Sequence, residues 1–78
     1  GETLAGPDSG EGPEALFMGS HARILETING MENAGGVDVN LFEVKTIVRI
    51  AEEEYLRGEV LLAVELLKEA EALVRKIP

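Results

Sequence analysis

Only a few side chains in this sequence have a type and spacing that chemistry could use. The first is His21, the single histidine. Imidazole is the one side chain whose ordinary titration falls near neutrality. A catalytic base needs a nucleophile in reach and a third group to orient it. Ser20 is adjacent in the chain, yet nothing in the sequence fixes the geometry of the two. The order Met18-Gly19-Ser20-His21 also has the look of a vector-derived scar. An exposed, chemically idle His21 is therefore the expectation. A small enzyme or carrier using His21 and nearby carboxylates is the competing reading.

Glu52, Glu53 and Glu54 are consecutive. On a helix they fan through about 200°, so they cannot converge on one cation and read as a solvated face. Asp38 and Asn40 have the opening pattern of a calcium loop, but the glycine and the distal bidentate glutamate are missing. Gly35-Gly36 lacks the preceding strand and the following Lys-Ser/Thr of a phosphate loop. With no cysteine, disulfides and thiolate metal sites are excluded. No catalytic, cofactor-binding or metal-binding residue is assigned, and no cofactor is expected.

Seventy-eight residues suffice for one domain with a small core, a size at which oligomerisation often supplements stability. The net charge of -8 and the pI near 4.5 oppose binding to nucleic acid or to anionic lipid. Lys45, Arg49, Arg57, Lys68, Arg75 and Lys76 are scattered among glutamates. Solubility accounts for the acidity most simply, and attraction to a basic partner is the alternative. The longest apolar run is Val60 to Val64, far below the roughly 20 residues of a membrane span. The first residues hold neither the basic segment nor the apolar block of a secretion signal. Glutamine is absent and Glu is set against Lys and Arg, a balance that leans toward a thermophile source.

The elements that must position these side chains are helical. In Glu59 to Ile77, the residues Val60, Ala63, Leu67, Ala70, Val74 and Ile77 recur at spacings of three and four. That is a heptad seam on one side of a helix. Leu62, Leu66 and Leu73 widen it. A second helix is predicted from Leu41 to Arg57, with Leu41, Val44, Val48, Ala51 and Tyr55 as its seam and Ile47 beside it. Asn40 is placed to cap it, Glu43 to reach back to the cap, and Val39 to pack on Val44 as a hydrophobic staple. Gly58 ends it in a left-handed conformation. The short link Leu56 to Glu59 forces the two helices to be antiparallel neighbours. Arg49 with Glu53, and Glu71 with Arg75, have the spacing of exposed ion pairs.

Upstream, Pro13 suits the first position of a helix and Glu14 suits its positive end. The pattern allows one kinked helix from Pro13 to about Glu32, or a turn followed by a helix that Ser20 caps. Ala22, Leu25, Ile28 and Met31 form the expected apolar stripe, with Ile24 beside it. Asn33 to Val39 is a connection that Gly35 and Gly36 can open. Gly1 to Gly12 reads as a flexible arm. The expected fold is all-α: a three-helix bundle at residues 13–78 built on an antiparallel helical hairpin, with an N-terminal arm at 1–12.

The hairpin carries a resemblance. Gly36-Val37-Asp38-Val39, Ala51-Glu52, Tyr55, Gly58, Ala63, Leu66-Leu67 and Glu69-Ala70 look like helical-hairpin segments of archaeal and other thermophile proteins. These are similar to tetratricopeptide-type hairpins, in which small residues let two helices approach and a glycine sits at the turn. The resemblance covers roughly residues 36–76 and implies an interaction scaffold. It departs from a tetratricopeptide array, which repeats about every 34 residues: no second copy fits, and the usual Trp is missing. Acyl carrier proteins are similar in length, acidity and the GVDV before a helix. Val39 stands where that family needs the serine that bears phosphopantetheine, so the attachment chemistry is absent.

The apolar surplus carries the functional expectation. Val60 to Val64 are consecutive and must point all round their helix. A patch left exposed is one that a soluble monomer tends to avoid. The expected activity is a non-enzymatic interaction or assembly module. It associates through the apolar face of its C-terminal helix with a second copy or a helical partner. Leu61, Leu62, Val64 and Leu73 are the candidate interface. Phe42 lies off the second seam and either covers the first helix or meets a partner. Leu61→Glu is expected to keep helicity and abolish association. A helical fragment of a larger protein, with this face as an interdomain seam, is the alternative.

Overall fold

The computed structural model describes residues 12–35 and 39–77. Residues 1–11 of the expected arm, and Gly36 to Asp38 of the connection, lie outside the described residues. Three helices follow in order: α1 Pro13–Asn33, α2 Val39–Leu56 and α3 Val60–Val74. The expected all-α bundle on an antiparallel hairpin is the architecture found.

α1 is continuous across Gly19 and Ser20, with Pro13 at its start and Glu14 in its first turn. The alternative start at Ser20 is therefore not used. Its buried residues are Phe17, Ser20, Ile24 and Ile28, with Met31 half-buried against the core. The expected stripe is thus rotated: Ala22 is exposed and Leu25 is 39% exposed. Ser20 and His21 interrupt the true ladder, which hides it from a reading of apolar spacing alone. Gly35, at φ 84°, donates its N–H to the Glu32 carbonyl and closes the helix with a tight last turn.

α2 begins with Val39 and Asn40 already helical, one turn position earlier than the expected cap. Val39 is 80% exposed, so it does not staple onto the buried Val44. The seam is as expected: Leu41, Val44, Val48 and Ala51 are buried and Tyr55 is half-buried. At the far end Glu59 donates to the Glu54 carbonyl and Gly58 to that of Tyr55. With Gly58 at φ 91°, these are the paired bonds of a Schellman ending.

In α3 the seam residues Ala63, Leu67, Ala70 and Val74 are buried. Ala51, Ala63 and Ala70 have no exposure at all. Their small side chains let α2 and α3 approach closely, and these two form the tightest pair; α1 rests on α3 and stands off from α2. Three cross-links fix the directions. His21 meets Glu52, Glu32 meets Lys45, and Arg23 meets Glu71. Rising numbers in α1 match falling numbers in α2, so those two run antiparallel, and α1 runs parallel to α3. Glu71 thus reaches across to α1 rather than along its own helix to Arg75. Among the described residues, Arg49 and Glu53 form no ion pair.

Candidate functional site

His21 is not idle. Its Nε2 lies 2.6 Å from a Glu52 oxygen, with its side chain only 26% exposed. Its ring stacks on Phe17, and Phe17 stacks on Tyr55 with centroids 4.1 Å apart. Met18 to His21 lie within α1, and His21 ties that helix to α2. Ser20 is buried and its Oγ accepts a bond from Arg23 at 3.2 Å. Adjacent residues on a helix diverge by about 100°, and here each has gone to a separate partner. The cluster pins α1 to α2, and Ser20 is turned away from the imidazole toward Arg23.

The three consecutive glutamates part as helix geometry requires. Glu52 goes to His21, Glu54 pairs with Arg57 at 3.3 Å, and Glu53 is exposed. Among the described residues no three His, Cys, Asp or Glu side chains are grouped to hold a metal ion. None of the described helices is long and apolar enough to cross a membrane. Asp38 lies outside the described residues. Because α1 stands off from α2, a groove of about 340 Å³ runs between them. Its walls mix Leu25, Ile28 and Val48 with Glu32, Lys45 and Arg49.

The five expected interface residues do not form one patch. Val64 is only 5% exposed: it lies on the flank of α3 that α1 covers and belongs to the core, not to a docking surface. Leu61 is 70% exposed and is turned about 100° from Leu62. It shares the α2–α3 turn region with Leu56, which is 84% exposed. Phe42 is 72% exposed, beside Lys45, Thr46 and Arg49, and does not cover α1. Leu62 and Leu73 share one face of α3, about 16 Å apart along it.

Their setting follows from where α1 sits. α1 lies on the flank of α2 that carries Lys45 and Glu52, and on the flank of α3 that carries Val64 and Glu71. At about 100° per residue, the opposite flanks carry Ile47 and Ile50 from α2 and Leu62, Leu66 and Leu73 from α3. Leu62 is 47% and Ile50 41% exposed. Ile47, Leu66 and Leu73 are half-buried against the core. Together they make an apolar strip along the side of the hairpin that faces away from α1. Ile50 and Leu66 had a sequence signal, since each flanks a seam. Which flank would stay bare had none.

The chain matches no family model, no curated protein and no solved structure with which it was compared.

Proposed function

We propose that this chain is a non-enzymatic protein–protein interaction module. It receives a helix, from a second copy or from another protein, across the side of α2 and α3 that α1 leaves bare. The observation that carries this reading is the continuity of the strip Ile47, Ile50, Leu62, Leu66 and Leu73. It lies on the most closely packed pair of the described helices. A rigid two-helix platform with an apolar seam between its ridges is what an amphipathic helix needs for groove docking. The likeness of this hairpin to tetratricopeptide-type segments supports the same reading.

The energetics fit a modest, specific association. Fully burying a Leu or Ile side chain contributes about 1.5–3 kcal/mol, and the strip offers the uncovered parts of five. The test is methyl NMR of the intact chain, followed while its own concentration is raised and while leucine-faced helical peptides are added. Shifts confined to Ile47, Ile50, Leu62, Leu66 and Leu73 are expected. Shifts centred on Phe42, Leu56 and Leu61, or no shifts under either condition, would remove the proposal.

A further inference from the structure

We infer that the occupant of the bare flank is a basic amphipathic helix, supplied by another protein rather than by a second copy of this chain. This rests on the interaction reading above and specifies its partner.

The charges around the bundle are sorted by flank. By the same rotation of about 100° per residue, Lys45 and Arg49 of α2 and Lys68 and Arg75 of α3 fall toward the α1 side. Arg23 of α1 joins them there through Glu71. Glu43 and Glu54 of α2 and Glu69 of α3 fall on the bare side among the five apolar residues, with Glu59 at its end. Arg57 borders that side, and its guanidinium is held by Glu54 at 3.3 Å. Lys76 borders the opposite end, in the turn after α3. Glu54 is itself only 16% exposed and its charge is met by Arg57, so the strip is apolar along its middle and its anionic margins are set by Glu43 and Glu69.

A second copy fits such a surface badly. A two-fold contact sets the same patch against itself, so the anionic margins around Glu43 and Glu69 would face anionic margins of the second copy. Two chains of net charge -8 also repel as they approach. A helix with Lys or Arg flanking its apolar stripe meets the margins with opposite charge. From Leu62 to Leu73 the strip runs about 16 Å along α3, a length that three to four turns of a partner helix would cover. The ligand is thus an amphipathic helix with apolar residues at i, i+3, i+4 and i+7 and cationic residues beside them.

The experiment compares two synthetic helices with the same leucine face, one flanked by Lys and Arg and the other by Glu. Their binding to the full chain is read by fluorescence anisotropy at several salt concentrations. Light scattering of the chain alone runs beside it. The cationic helix is expected to bind about tenfold tighter or more, with the preference shrinking as salt rises. Ile50→Glu combined with Leu62→Glu should abolish its binding, while Phe42→Ser and Leu61→Ser should not; circular dichroism verifies that each variant stays helical. Equal binding of the two peptides overturns the charge inference and leaves the interaction module standing. So does a dimer that Leu62→Glu dissociates. If neither peptide binds and the chain is monomeric, both readings fall.

Discussion

The two flanks of the α2–α3 hairpin both carry apolar residues, yet among the described residues only one is roofed. On the roofed side Val64 is packed under α1, and Lys45, Glu52 and Glu71 reach across to it. On the bare side Leu62 and Ile50 keep 47% and 41% of their surface in water. What separates the flanks is their charge. The roofed side combines apolar contacts with charges of both signs, which α1 answers through His21, Arg23 and Glu32. The bare side combines apolar contacts with carboxylates, and α1 offers it no cation. Among the described residues, α1 answers one side of the hairpin and leaves the other unanswered, which is the ground for the docking role proposed above.

Four substitutions test that contrast. The largest effect is expected from Ile24→Ala. Ile24 is 1% exposed, and the cavity left at the α1–α3 contact should cost about 2–5 kcal/mol, read as a lower denaturation midpoint. Gly58→Ala tests the frame that holds both flanks in register. Nothing crowds a Cβ there, but φ is +91°, so the expected loss of about 1–2 kcal/mol comes from backbone strain alone. A smaller effect is expected for Glu52→Gln, which weakens the tie to His21. A partly exposed pair of this kind contributes about 0–1 kcal/mol, and added salt should narrow the gap to the unmodified chain. The smallest belongs to Ile50→Ala, the same side-chain change as the first. On the bare flank it should move stability by about 0.5 kcal/mol or less while weakening peptide binding. A loss at Ile50 as large as at Ile24 would show that the bare flank is not bare in solution.

Much of the hairpin was legible residue by residue. The seams of α2 and α3 follow from spacing, and the turn follows from Gly58, because hydrogen bonds reaching back three to five residues decide them. α1 was legible in extent but not in rotation. Ser20 and His21 occupy buried or half-buried places on its inner face, and a polar residue there carries no apolar signal. His21 shows why single residues mislead: its role depends on Glu52, thirty-one positions away. Val64 shows the converse, since an apolar residue with no place in the hairpin seam gained one when a third helix arrived.

The sequence by itself determined three helices, their approximate limits, a tight antiparallel α2–α3 pair and an anionic, thiol-free chain. Helical periodicity, helix endings and turn glycines are short-range properties that each segment carries alone. Only the tertiary structure decided on which side of the hairpin α1 lies, and hence which leucines are core and which are surface. A third helix can lie against either flank of a hairpin with the same hydrophobic pattern. The choice is made by long-range contacts such as His21 with Glu52 and Arg23 with Glu71, which exist only once the helices are packed.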